Sequence, residues 1–215
     1  MDNLTAGSEY FLNITVTLKE DTDFRNAGHE IAHEQFKVAE SRNNTAPVIS
    51  GGIKTSDNAN EISVTGENFE FTVNKTTGQI ENYTYNNDVL IKNGPVGNYW
   101  RARLDNDKTS SSDAKKGNIF ETGWQTAMDT VTVEETTVSE LSDGRIVINV
   151  QAILKTGAKQ TVNYTVNGNG VITVESSIDA SKTSMTQYYQ KIGTDLILPE
   201  GFENVSWYGN GPVEN

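Results

Sequence analysis

Leu12, Ile14, Val16 and Leu18 alternate with Asn13, Thr15 and Thr17, a period of two that predicts a half-buried β-strand. A charged turn follows at Glu20-Asp21-Thr22-Asp23, and then a second strand-like segment, in which Glu34, Phe36 and Val38 alternate with Gln35 and Lys37. From Ser41 to Asn60 the chain turns polar, with Asn43-Asn44, Pro47 and Gly51-Gly52 and almost no apolar periodicity. Residues 43–60 are therefore read as a linker. Strand patterns resume at Ile62 and Val64 and at Phe69, Phe71 and Val73; the turn at Thr77-Gly78 leads into Ile80–Tyr85, a predicted hairpin.

Beyond a Ser-, Asp- and Lys-rich loop over 108–117, strands are predicted at Val131–Val138, Arg145–Leu154, Gln160–Val166 and Val171–Ile178. Asp143-Gly144, Thr156-Gly157 and Asn167-Gly168-Asn169-Gly170 separate them. Short strands at this spacing, punctuated by glycine turns, indicate an antiparallel β-sandwich. Only 121–129 has the composition for a helical turn. The expectation is an all-β chain in two units, a small first one and a larger second one.

Composition agrees. Thr, Asn, Ser and Gly dominate the polar residues, which suits exposed sheet faces and turns. Eight Tyr, seven Phe and three Trp supply a core. The formal charge of −12 argues against a nucleic-acid partner, because phosphate binding relies on Lys and Arg. No cysteine is present, so disulfides and Cys-based metal sites are excluded. No apolar run reaches the roughly 20 residues of a membrane-spanning helix.

His29-Glu30-Ile31-Ala32-His33 matches the zinc-protease pattern HExxH, which works only on a helix, where the two histidines share a face. Here the alternation that follows favours a strand, with His29, Ile31 and His33 on one face and Glu30 on the other. A specific metal site is not expected.

Two segments carry the most information. One is Gly94-Pro95-Val96-Gly97-Asn98-Tyr99-Trp100-Arg101-Ala102-Arg103-Leu104-Asp105-Asn106-Asp107. The other is Trp207-Tyr208-Gly209-Asn210-Gly211-Pro212-Val213-Glu214-Asn215. Asp105 and Asp107 would lie about 6.5–7 Å apart on an extended segment, close to the separation of a glycosidase carboxylate pair. An Asp-Asn-Asp run after Arg101 also suits a loop that hydrogen-bonds its own backbone and pairs with the arginine, and that structural role is the expectation.

Both segments resemble signature stretches of the C-terminal β-sandwich domain of large LacZ-type β-galactosidases, in glycoside hydrolase family 2. The first keeps Gly94, Pro95, Asn98, Tyr99, Trp100, Arg101, Ala102, Asp105, Asn106 and Asp107 of the family pattern, and departs at Arg103 for proline and Thr109 for glycine. The second keeps Trp207, Tyr208, Gly209, Gly211, Pro212, Glu214 and Asn215. Gly123-Trp124 and Lys191-Ile192-Gly193 extend the likeness, and Ala27–Phe36 is similar to the end of the Ig-like domain that precedes the sandwich.

The resemblance implies the C-terminal strands of an Ig-like domain over 1–42 and the N-terminal part of a galactose-mutarotase-like supersandwich over 61–215. It implies no catalytic residue in this chain, since the family's two glutamates sit on a (β/α)₈ barrel for which no strand–helix alternation exists here. Asn98, Tyr99, Trp100, Arg101, Asp105, Asn106 and Asp107 are then candidates to face the barrel or position its loop. Gly94, Pro95, Trp207, Gly209, Gly211, Pro212, Glu214 and Asn215 would shape the motifs. Tyr99 and Trp100 are expected at the surface, Trp124 and Trp207 in the core.

The expected partners are the other domains of a parent β-galactosidase, expected to be a homo-oligomer, and galactosides through it; no cofactor is expected in the chain, and Mg or Na is a candidate ion of the parent alone. The compartment, bacterial cytoplasm or exterior, stays open. So do two alternatives, a free-standing carbohydrate-binding module and an adhesin-like module. A chain ending at Asn215, where the family continues, is expected to leave unpaired strand edges and an apolar sheet face.

Overall fold

The computed structural model describes residues 4–41, 51–102, 123–183 and 189–209, which form strands and turns with no α-helix among them. The chain divides into two compact units, residues 1–48 and 49–215.

The first unit is an antiparallel pair, β1 (Ser8–Thr17) and β2 (Glu30–Ser41). Leu12 faces Phe36 and Val16 faces Ala32, while Asn13 opposite Gln35 and Thr15 opposite His33 give the other side its polar character. Two register shifts make β2 longer than its partner, and the shift at Ile31 corrects one expectation. A bulge reverses the phase of alternation, so Glu30 shares a side with His33, and its Oε1 lies 2.8 Å from His33 Nδ1. HEIAH is thus strand and bulge, not helix. The shift at Val38 likewise places Lys37 beside the facing carboxylates Glu9 and Glu40, and its ammonium donates to both, at 2.6 and 2.5 Å.

The second unit is a β-sandwich. One sheet has six antiparallel strands in the order β12-β7-β6-β5-β4-β3: β3 (Lys54–Asp57), β4 (Glu61–Thr65), β5 (Phe69–Asn74), β6 (Ile80–Tyr85), β7 (Asp88–Asn98) and β12 (Gly193–Ile197). The other has four, β11-β10-β9-β8: β8 (Val131–Glu140), β9 (Ile146–Leu154), β10 (Lys159–Val166) and β11 (Ile172–Asp179). Strict alternation builds the interior. Ile62 and Val64, Phe69, Phe71 and Val73, and Ile80 from the larger sheet meet Ile146, Ile148 and Val150, and Val162, Tyr164 and Val166 from the smaller. Polar side chains pair on the outer face, as in the Asn149–Asn163 amide hydrogen bond across β9 and β10.

Two phenols cross the interior in opposite senses. Tyr164 on β10 donates to the carbonyl of Gly78 in the β5–β6 turn at 2.9 Å, and Tyr83 on β6 donates to Gly170 in the β10–β11 turn at 2.7 Å. Each sheet therefore holds a turn of the other, and neither hydroxyl, Tyr164 buried and Tyr83 half-buried, is left without a partner.

Part of the expected linker is structured: β3 pairs with β4 along the edge of the six-stranded sheet, and Ile53 packs on the core. Lys54-Thr55-Ser56-Asp57 is too short and too polar to register as a strand by pattern. The predicted helical turn is a single 3-10 turn, Trp124–Thr126. Among the described residues β11 and β12 each have one neighbour only, and Val174, Ile192, Leu196 and Ile197 stay exposed beside them.

Candidate functional site

The first motif is the end of β7 and its exit. β7 runs between β6 and β12, and it contains a cis Gly94–Pro95 peptide. Pro95 has no N–H for a ladder, and it sits where the register against β12 skips, Asn93 facing Ile197 and Val96 facing Asp195. Gly94 adopts φ +117°, and a Cβ there would lie 2.7 Å from the carbonyl oxygen of Asp195, so only glycine lets β12 approach this closely.

Tyr99, expected at the surface, is core. It is only 5% exposed because the bare backbone of Gly97, two residues earlier, leaves room for its ring to fold back. Its ring meets Trp124 edge-on at 5.7 Å and lies 6.4 Å from Tyr189, and Gln160 Nε2 donates to its hydroxyl at 3.0 Å. Burial, with Tyr189 adding to it, pushes the Tyr99 phenol above its usual acidity range, and the Gln160 hydrogen bond offsets only part of this. Trp124, 2% exposed, is in the core as expected, and with Leu154, Ala127 and Ala158 it completes a second small core at this end of the sandwich.

Asn98 closes β7. Its Nδ2 donates to both oxygens of Asp195, at 3.1 and 2.8 Å, and its Oδ1 accepts from the Trp100 N–H at 3.3 Å. Gly193 pairs with Asn98 and Thr194 with Gly97, so Lys191-Ile192-Gly193 and the Gly-Pro motif, about a hundred residues apart in sequence, are adjacent strands. Trp100 and Arg101 are half-buried, and Arg101 donates to the Ala102 carbonyl at 3.0 Å.

Asp105, Asn106 and Asp107, with the ion pair expected between them and Arg101, lie outside the described residues, as do Gly211, Pro212, Glu214 and Asn215. Trp207 overturns its core assignment: it is 69% exposed, and Tyr208 is 80% exposed, because residues 202–208 run without regular structure and no described layer covers them.

A groove of about 180 Å³ opens between the edge strands, lined by Ser176 and Ile178 of β11, Ile192, Gly193 and Thr194 at β12, and the Tyr99 ring. Sequence reasoning missed Asp195, Gln160 and Tyr189. Asp195 was findable, since it stands two residues after Gly193 and shares its face; Gln160 and Tyr189 carried no signal beyond their type.

Among the described residues of this site, hydrogen bonds hold the chain that leaves β7 in place. Away from this site, Asp143 and Asp179 are kept more acidic than usual, by hydrogen bonds from Arg145 and Ser181. No group of three or more His, Asp or Glu side chains among the described residues is arranged to hold a metal ion.

The family model described as beta galactosidase small chain matches residues 65–215, and that of beta-galactosidase, domain 4, matches residues 1–39. A β-galactosidase of Psychromonas ingrahamii is 31% identical over 97% of this chain and 21% of its own length. Those of Pseudoalteromonas haloplanktis and Priestia megaterium are 30% and 29% identical, over 97% and 96% of this chain and 21% and 19% of their own lengths. The chain thus spans about a fifth of the curated relatives it matches. With a sandwich carrying the Gly-Pro motif on β7 and a strand pair before it, the chain belongs to the β-galactosidase small-chain family.

Proposed function

We propose that this chain is a non-catalytic part of a β-galactosidase that hydrolyses terminal β-D-galactosides, and that its second unit supports and shapes the galactoside site built by a catalytic barrel elsewhere in the enzyme. The observation that carries this reading is the double anchoring of the chain leaving β7: Tyr99 is sunk in the core and Asn98 is tied to Asp195, so Trp100 and Arg101 emerge in a fixed direction. Preorganised loops on rigid strands are how a supporting domain contributes to a neighbouring site. The partners under this reading are the other domains of the enzyme, its own further copies, and galactosides bound through the barrel; any Mg or Na ion would belong to the parent.

The test is hydrolysis of a chromogenic β-galactoside. The isolated chain is expected to be inactive, and the complete enzyme that carries it is expected to lose activity when Asn98-Tyr99-Trp100-Arg101 is replaced by glycine and serine. Activity of the isolated chain that survives purification would overturn the reading.

Exposure of Phe202, Trp207 and Tyr208 favours a second reading, a carbohydrate-binding module that stacks sugars on these rings. Galactose or lactose titrated into the isolated chain separates the two: binding lost on Trp207→Ala supports the module, and no binding supports the supporting role.

A further inference from the structure

We propose that Asp195, which lies outside both sequence motifs, is a positioning residue that sets the path of the chain leaving β7; its consequence for hydrolysis rests on the function proposed above. Asp195 pairs with Val96 across the β12–β7 ladder, and Asn98 is two residues further along β7, on the same face. That diagonal relation brings the two side chains within reach. The Asn98 amide has only one orientation that works, because its Oδ1 accepts from the Trp100 N–H, which turns Nδ2 toward Asp195. A carboxylate is the stronger acceptor for that amide, since hydrogen bonds to an ionised partner exceed neutral ones.

The two anchors at this exit do different work. The Tyr99–Gln160 bond is buried and fixes how deep the chain sits. The Asp195–Asn98 bond is exposed and fixes the turn that follows, so that the direction of Trp100 and Arg101 depends on β12 being in place. Removing Asp195 leaves Asn98 free to rotate about its terminal torsion, and the Trp100 N–H loses its acceptor.

The experiment is amide hydrogen exchange on the chain with Asp195→Leu and Asp195→Asn, followed by steady-state hydrolysis by the complete enzyme carrying each change. Asp195→Leu keeps the shape and removes the acceptor, and is expected to speed exchange at Trp100 about fivefold, the size of one net hydrogen bond. Asp195→Asn keeps an acceptor oxygen and is expected to retain most of the protection. Amides of β9 are expected to be unchanged in both. In the complete enzyme, Asp195→Leu is expected to raise KM several-fold with kcat within about twofold, and Asp195→Asn to restore it.

Unchanged exchange at Trp100 in Asp195→Leu overturns the proposal, and so does acceleration spread equally over β9, which would mark a general loss of stability. Faster exchange at Trp100 with both kinetic constants unmoved upholds the clamp and overturns the supporting role instead.

Discussion

Tyr164 and Gly78 meet across the interior of the sandwich, the phenol donating to the turn carbonyl at 2.9 Å. The turn cannot move away to relieve a change there. Gly78 has φ +73°, and a Cβ on it would lie 2.7 Å from Val150 Cγ1, so the turn is pressed against the opposite sheet. Tyr164→Phe keeps the ring and leaves the Gly78 carbonyl unpaired, and is expected to cost about 1–2 kcal/mol in urea unfolding.

The same phenol predicts an alkaline limit. Burial holds the Tyr164 proton on well beyond the ordinary phenol value of 10.0. The folded state therefore binds this proton where the unfolded chain has released it, and stability falls as pH rises above about 10. Below that value the contribution is fully present. Midpoints measured from pH 8 to 11 should decline for the wild type and decline less steeply for Tyr164→Phe.

Thr136 offers a gain. It faces Val150 across the β8–β9 ladder, on the core side of an edge strand whose register is shifted at Glu134, and its buried hydroxyl has no hydrogen-bond partner among the described residues. Replacing such a group by an apolar one of the same shape relieves a desolvation cost. Thr136→Val should be neutral or stabilising by up to about 1 kcal/mol, read as a raised urea midpoint with an unchanged m-value.

Legibility in the sequence followed burial on one face. β5, β9 and β10 alternate without exception, and Ile80–Tyr85 was bounded correctly as β6, because a one-residue slip would turn each apolar set to solvent. β3 and β12 were not legible, being edge strands of four and five residues with little to bury. β7 hid behind Pro95, which argues against a strand unless a register skip accommodates it. The site was half legible. The motif pointed to the right stretch, but its ring was assigned outward: Tyr99 turns inward through the space left by Gly97, a contact two residues apart that no periodicity reveals. Trp207 failed for the opposite reason, since size alone suggested burial and no described strand covers it.

Gly97→Ala tests that contact. The new methyl would stand 2.6 Å from Tyr99 Oη and 2.8 Å from Cζ, against a ring that Gln160 and Trp124 hold in place. Overpacking of this kind is expected to cost about 1–3 kcal/mol. If Tyr99 is the cause, combining Gly97→Ala with Tyr99→Ala should cost clearly less than the sum of the two changes, a coupling measurable by thermal or urea unfolding.

The last prediction concerns His29 and His33. A helical HExxH would bring both imidazoles to one ion, but here the residues lie at the start of an extended strand, where four residues span roughly 13 Å. The bulge at Ile31 turns Glu30 toward His33, and Arg25 Nε donates to His29 Nε2 at 3.3 Å, so each ring already has a partner. Zinc needs four ligands in a tight tetrahedron, and the strand supplies neither the spacing nor the number. Calorimetric titration of zinc into the chain should therefore show no one-to-one site at micromolar concentration, and His33→Ala should leave the trace unchanged. A stoichiometric ion lost with that substitution would mean that Glu30–His33 is a ligand pair and that the segment refolds around metal.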